Sequence, residues 1–322
     1  MTPDVTVVVP TKDRGPLLKE TLRSIRGQRN AALKVVVVDD GSRDPLLVPA
    51  AVAELGDGRF AVVRHDLPLG VSAARNRGIT EARTPWVAFC DDDDLWAPDK
   101  LASQLAVVSA AVDWVYVGSV NITQARRVVG GAPPPSPATI AAKLSESNVV
   151  PGGASGVMAR RETLLHAGGF DTSLQPLADW DLWLRLLDGG LPAGVAQPLV
   201  AYRVHAANMS LDTKRVEADF AVIARRYPAA NAAVLLRYLG WWSLRVRRHR
   251  EAGRYFLRAA AARDPRYPTS LLRADLAYLL RDVAEEVRAR RASGIVRRPL
   301  HRAGRIEHSA WREQGRRWID SL

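Results

Sequence analysis

Cysteine is nearly absent from this chain. One residue, Cys90, among 322 cannot form an internal disulfide, so the fold must be held by its core and a reducing compartment is expected. Long apolar runs are also missing; nothing approaches the roughly 18 residues that a membrane-spanning helix needs. Met1-Thr2-Pro3-Asp4 lacks a basic stretch followed by an apolar one, so no secretory signal is expected. Acidic residues are scarce only near the end. Lys214–Leu322 carries 25 Lys and Arg against 11 Asp and Glu, whereas the preceding 213 residues carry 21 against 23. The net charge of +12 therefore belongs to the C-terminal part. This asymmetry predicts a near-neutral α/β domain over residues 1–212 and a basic helical extension over 213–322, the latter asking for an anionic partner. With 47% hydrophobic and 25% charged residues, the chain is globular rather than disordered.

What is present is a series of strands that end in acids. Val5-Thr6-Val7-Val8-Val9-Pro10 is a β-branched run stopped by proline. A helix follows, with Leu17, Leu18, Leu22 and Ile25 at helical spacing. Lys34-Val35-Val36-Val37-Val38 then reads as a parallel strand covered on both faces, and it ends in Asp39-Asp40-Gly41-Ser42. The β-α-β order predicts a doubly wound sheet. Phe60-Ala61-Val62-Val63 is a further strand. Thr84-Pro85-Trp86-Val87-Ala88 is another, and it runs into Asp91-Asp92-Asp93-Asp94. In such sheets the carboxyl ends of strands border the ligand crevice. Like charges this close repel unless a cation lies against them, and Mg²⁺ accepts one or two carboxylates together with substrate phosphates. The plainer reading of the run is an acidic turn capping the helix that Pro98 begins, and that of Asp39 and Asp40 is a turn held by Asx hydrogen bonds.

Ser72 is expected to cap a helix facing a phosphate, with Arg75 as a planar phosphate fork, although surface arginines at an ordinary helix start fit as well. Asp113 to Gly118 reads as a strand, and Gly130-Gly131-Ala132-Pro133-Pro134-Pro135-Ser136-Pro137 as a surface loop. Val149 to Met158 is a glycine-rich approach to a short strand. Asp179-Trp180-Asp181-Leu182-Trp183 opens a helix whose first turn favours a carboxylate, as a plain N-cap would. Pro198 to His205 is a last strand; His205 is either a satisfied structural imidazole or a third metal ligand.

The ordered set Val7-Val8-Val9-Pro10-Thr11, Val37-Val38-Asp39-Asp40-Gly41-Ser42, Ala74-Arg75-Asn76-Arg77-Gly78, Phe89 to Trp96 with Pro98, Lys100 and Leu101, Gly168-Gly169-Phe170-Asp171 and Asp179 to Arg185 resembles the family 2 glycosyltransferases over about residues 4–212. The resemblance implies a GT-A fold with a doubly wound, mostly parallel central sheet, here followed by the basic α-helical extension. It implies transfer of a sugar from a nucleotide diphosphosugar, usually with inversion and a divalent Mg²⁺ or Mn²⁺. Position by position, it implies that Pro10, Thr11, Arg14, Asp39, Asp40, Arg75, Asp91 and Asp92 surround the donor, with Asp92 toward the ribose. Asp93 and His205 would hold the metal, and Asp179 would be the catalytic base. The four-aspartate run leaves this register open by one. Ala178 departs from the family, which usually has glutamate before the base; either the acceptor contacts differ or a different residue holds the base.

The acceptor hydroxyl would belong to a cell-surface glycan, a lipid-linked sugar or a small molecule, and the site of action would be the cytoplasm, at the inner face of the plasma membrane. Trp241, Trp242 and Gly253 to Ala260 form a helical hairpin similar to one tetratricopeptide-type unit. Leu272, Leu276, Leu279, Leu280, Val283 and Val287 make an apolar stripe for packing on the catalytic domain or on a second subunit as a homodimer. Arg297-Arg298-Pro299 through Arg316-Arg317-Trp318 mixes arginine with tryptophan and suits an anionic membrane surface, with a solvated tail or nucleic acid as competing readings. Rival functions are a nucleotidyltransferase, a phospho-receiver domain around Asp39 and Asp40, and a protein that binds sugar nucleotide without catalysis. Against the first, Thr11-Lys12-Asp13-Arg14-Gly15 is too spare for a glycine-rich phosphate loop. Against the second, no later strand ends in a convincing lysine.

Overall fold

A computed structural model describes residues 4–205, 208–245, 247–262, 264–265, 268–293 and 308–322. The chain divides into two compact units. The first comprises Met1–Leu144, Asn148–Val204 and Gly304–Leu322; the second comprises Ser145–Ser147 and His205–Ala303.

The first unit is a mixed α/β layer structure. In chain order its elements begin β1 (Val5–Thr11), α1 (Pro16–Arg26), β2 (Leu33–Asp39), α2 (Leu47–Ala53), β3 (Phe60–Arg64) and α3 (Val71–Glu81). Next come β4 (Trp86–Phe89), β5 (Leu95–Trp96), α4 (Lys100–Leu105), β6 (Trp114–Ile122), β7 (Val128–Ala132) and α5 (Pro137–Lys143). The unit continues with β8 (Val157–Arg160), α6 (Arg161–His166), α7 (Ala178–Leu187) and β9 (Ala193–Arg203). The sheet order is β3-β2-β1-β4-β8-β6-β9-β5, with β7 on β6. Strands β3, β2, β1 and β4 are mutually parallel, β8 is antiparallel to β4 and β6, and β6 and β9 are again parallel.

Every residue of β1 is buried, because helices cover both faces. Val5, Val7 and Val9 join Leu18, Leu22 and Ile25 of α1 in one core. On the other face, by strand alternation, Val8 meets α3, where a β-carbon on Gly78 would come within 2.2 Å of the valine side chain. Trp183 of α7 stacks on Trp114 of β6 at 5.7 Å, and Trp180 Nε1 donates to Leu144 O at 2.7 Å. These contacts fix the helix that carries Asp179.

Three expectations are corrected. Gly130 and Gly131 are not loop residues: they lie in β7, opposite Asn121 and Val120, because a β-carbon on Gly131 would approach Val120 Cα to 2.8 Å. The irregular stretch ends at Ser136, whose hydroxyl caps α5. Ser72 caps nothing; Gly70 stands at the N-cap of α3, and the Ser72 hydroxyl donates to Leu174 O. The chain also leaves the first unit at Val204 rather than 212, and a last helix, α12 (Ser309–Ile319), returns to it.

The second unit is helical, with α8 (Thr213–Arg226), α9 (Ala232–Arg245), α10 (His249–Ala261) and α11 (Thr269–Ser293). Helices α9 and α10 form the expected hairpin, brought close where a β-carbon on Gly240 would lie 2.4 Å from the Phe256 ring. Leu272, Leu276 and Leu279 of the predicted stripe pack on Leu244 and Phe256 within this unit. Leu280 is exposed, and the side chain of Val287 lies outside the described residues.

Helix α12 (Ser309–Ile319) packs on β6, β7 and β9. Trp311 Nε1 donates to Ser119 O at 3.1 Å and Trp318 Nε1 to Pro198 O at 2.7 Å. The two tryptophans read from sequence as membrane-facing are therefore occupied by the sheet, while residues 294–307 lie outside the described residues. Among the described residues, no helix is long and apolar enough to cross a membrane.

Candidate active site

The tips of β1, β2 and β4 meet at one sheet edge. Thr11 and Asp39 are opposite each other in the β1–β2 ladder. Val8 stands opposite Phe89 in the β1–β4 ladder, so continuing that register carries Thr11 to Asp92, and Thr11 Oγ1 donates to Asp92 Oδ2 at 2.7 Å. Arg14, in the turn after β1, reaches Asp92 Oδ1 at 3.9 Å and Asp93 Oδ2 at 3.8 Å. Arg75 of α3 donates from Nη2 to Asp91 Oδ1 at 2.6 Å and lies 5.1 Å over the Phe170 ring. It is 4% exposed, yet its Nε has no partner among the described residues, leaving a donor for a ligand oxygen.

The four aspartates divide by task. Asp94 turns into the core, where its carboxylate accepts from Ser155 Oγ at 2.6 Å and from the Arg203 amide at 2.9 Å. Burial holds its pKa well above the carboxylate range, followed by the charges of Asp93 and Asp91. Burial, then the Asp93 charge, also pushes Asp92 up, opposed by Thr11 and Arg14. Such a pocket holds more negative charge than its own cations relieve. Asp93 thus suits a divalent ion, which takes oxygen ligands of this kind. Among the described residues, no three His, Cys, Asp or Glu side chains could hold an ion by themselves.

Asp39 and Asp40 are engaged internally. Asp39 accepts from the Ser42 amide at 2.9 Å and from Arg64 Nη1. Asp40 accepts from the Leu69 and Gly70 amides, each at 2.8 Å, and meets His65 Nδ1 at 2.9 Å, which clamps the loop leading into α3. Pro10 is buried in β1. His205 is buried and belongs to the second unit; the strand-tip cluster belongs to the first. Arg203 is fully buried, with Nε on Asp93 O at 2.7 Å, Nη1 on Gln124 O at 2.8 Å and Nη2 on Glu20 Oε2 at 2.8 Å, so it braces the aspartate turn.

Asp179 stands in the first turn of α7, not at its N-cap, which is Leu177. Its Oδ1 accepts from the Trp180 amide at 2.7 Å and its Oδ2 from Asn148 Nδ2 at 3.3 Å. The orientation of Asn148 is set by its own Oδ1, which accepts from the Val150 amide at 3.2 Å. Burial pushes Asp179 up to about 6; Arg75, the Trp180 amide and Asn148 pull it down, and Asp91 pushes it up. Electrostatics thereby link Asp179 to the Arg75–Asp91 pair. Ala178 is buried and contributes no carboxylate.

Sequence reasoning missed Asn148 and Ser155. Both lie in or beside a glycine-rich stretch whose course no periodicity reveals, and Ser155 both accepts from the Asp91 amide at 2.9 Å and donates to Asp94.

Comparison with known proteins bears on the family and the fold. The model of Glycosyl transferase family 2 matches residues 6–167. An uncharacterized glycosyltransferase of Haemophilus influenzae is 25% identical over 232 residues, covering 68% of this chain and 74% of that one. The succinoglycan biosynthesis protein ExoU of Rhizobium meliloti is 27% identical over 256 residues, covering 73% of each. Among solved structures, the mannosyltransferase PcManGT from Pyrobaculum calidifontis, in complex with GDP-Man and Mn²⁺, superposes with a TM-score of 0.56 at 21% identity, covering 89% of this chain and 88% of that one. TarS 1–349 of S. aureus, in complex with UDP, gives 0.54 at 17%, covering 93% and 97%. The fold is GT-A, and the chain, a glycosyltransferase, belongs to glycosyl transferase family 2.

Proposed function

We propose that this chain transfers a sugar from a nucleotide diphosphosugar to an acceptor hydroxyl by a single inverting displacement. The observation that carries the reading is Asp179. It is a carboxylate raised toward neutrality by burial and linked electrostatically to the Asp91–Arg75 pair beside the acidic strand tips.

Thr11, Arg14, Asp39 and Arg75 surround the donor, and the free Arg75 Nε faces a phosphate or ribose oxygen. Pro10 and Asp40 shape the floor behind them. Asp91 orients Arg75, Asp92 takes the ribose side, and Asp93 would hold Mg²⁺ or Mn²⁺. The ion, when bound, neutralises charge growing on the departing diphosphate. Asp179 accepts the proton of the acceptor hydroxyl while that oxygen forms its bond to the anomeric carbon. The bond from that carbon to the diphosphate breaks, and its electron pair leaves with the nucleotide. Attack opposite to the leaving group inverts the centre. Asn148 is a positioning residue that keeps Asp179 aimed in place of the absent glutamate. The acceptor is a glycan, as the name of the succinoglycan relative suggests, or a lipid-linked sugar at the inner face of the plasma membrane.

The test is a thermal-shift screen of UDP- and GDP-sugars with Mn²⁺ or Mg²⁺, followed by product analysis. Donor with metal raises the melting temperature. Asp179→Asn keeps that shift and loses transfer, whereas Asp93→Ala loses the metal-dependent part of the shift. Normal turnover by Asp179→Asn, or retention at the anomeric carbon, overturns the mechanism.

A further inference from the structure

The helical unit contains a cleft lined by none of the residues of the candidate active site. Where α9 gives way to α10, Arg247, Arg248, His249, Arg250 and Glu251 line one wall of an open cavity of about 620 Å³. Leu279, Leu280 and Val283 of α11 line the other. Arg247 adopts the left-handed conformation (φ 62°), which lets the chain reverse within a few residues and gathers the basic run at the turn.

The charges here are only partly compensated. His249 meets Asp282 at 3.0 Å, and Arg248 meets Glu251 at 3.5 Å. Arg250 has no ion-pair partner among the described residues. Leu280 is 69% exposed beside these cations, while its neighbour Leu279 packs inward on the α9–α10 core. Residues 205–303 carry 21 Lys and Arg against 9 Asp and Glu, so the field around the cleft is positive. A polyanion in solution would satisfy the arginines but leave the leucine wall in water. An anionic bilayer satisfies both walls: headgroup phosphates meet guanidinium groups, and an exposed leucine enters the acyl boundary just below.

We propose that the α9–α10 turn and the adjoining face of α11 dock this chain on an anionic phospholipid bilayer. This moves the membrane contact expected of the C-terminal tail to the helical unit, since Trp311 and Trp318 are occupied by the sheet. It rests only on the membrane part of the proposed function. Vesicle binding requires neither donor nor acceptor, so its failure and a failure of the transfer reaction are separate results.

Flotation of the full chain with phosphatidylglycerol–phosphatidylcholine vesicles, and with phosphatidylcholine alone, tests it. The chain floats with the anionic vesicles and stays down with the neutral ones. Arg250→Glu lowers bound protein by about tenfold or more, as reversing one interfacial charge should. Leu280→Ser lowers it several-fold, and its deficit persists at high salt because it is apolar. Lys34→Glu, an equal charge change at the exposed Lys34 of β2 in the first unit, floats like the parent. Flotation unchanged in Arg250→Glu and Leu280→Ser, an equal loss in Lys34→Glu, or no preference for anionic lipid overturns the assignment. Binding lost in Arg250→Glu but intact in Leu280→Ser at high salt also overturns it, and marks the cleft as a site for a soluble polyanion such as nucleic acid.

Discussion

Burial raises the proton affinity of Asp179, the carboxylate proposed as the base. Because the shift is upward, to about 6, the base is disarmed by acid: kcat/KM is expected to fall as pH drops through about 6. Donation from Asn148 favours the charged form, so Asn148→Ala moves this acid limb to higher pH, and Asn148→Asp moves it further by adding a like charge. A limb that stays in place in both variants removes Asn148 from the role. The same shift has a consequence for stability. A group whose folded pKa is raised contributes stability below its unfolded pKa that is lost as pH rises through the folded one. At pH 8, Asp179→Asn is therefore expected to melt at or above the parent temperature while transfer falls roughly 10²–10⁴-fold. A clear drop in melting temperature would assign Asp179 a structural task instead.

Helix α3 shows how much of a motif serves packing. Asn76 donates from Nδ2 to Phe170 O at 2.8 Å and accepts from the Phe170 amide at 2.7 Å, stapling the turn around Gly168 and Gly169 to the helix. Gly169 has φ +70°, and a β-carbon there would strike Asn76 Oδ1 at 2.4 Å. Two residues on from Asn76, Gly78 lets α3 rest directly on β1. Gly78→Ala is expected to cost about 1–3 kcal/mol by overpacking against Val8, read as a lower denaturation midpoint with unchanged slope. The motif's order was legible because strand tips, glycines and carboxylates recur in sequence. Its division of labour was not: Asp94 looks like its three neighbours, and only packing turns it inward onto Ser155 and Arg203.

At the scale of the whole chain, charge separated two regions, but the boundary it drew takes no account of the last helix. Trp311 fills space left by Gly118, where a β-carbon would lie 2.3 Å from the indole, and so completes the face of β6. Trp311→Ala should destabilise the first unit by about 3–5 kcal/mol, and a chain ending at residue 303 should melt at least as early. Calorimetry on both variants checks this; parent-like melting would mean that α12 is dispensable. Neither the tryptophans of α12 nor the arginines it shows to solvent leave a mark in sequence that distinguishes a docked helix from a free tail.

The alternation of strands and helices, the acids at strand ends and the basicity of the second unit are legible along the chain, because periodicity, proline, glycine and charge act locally. Tertiary structure decided that Asp94 braces the core, that Asn148 meets Asp179, and where the final tryptophans go. Those outcomes depend on contacts between residues as far apart as Ser119 and Trp311, and no local pattern encodes a partner that distant.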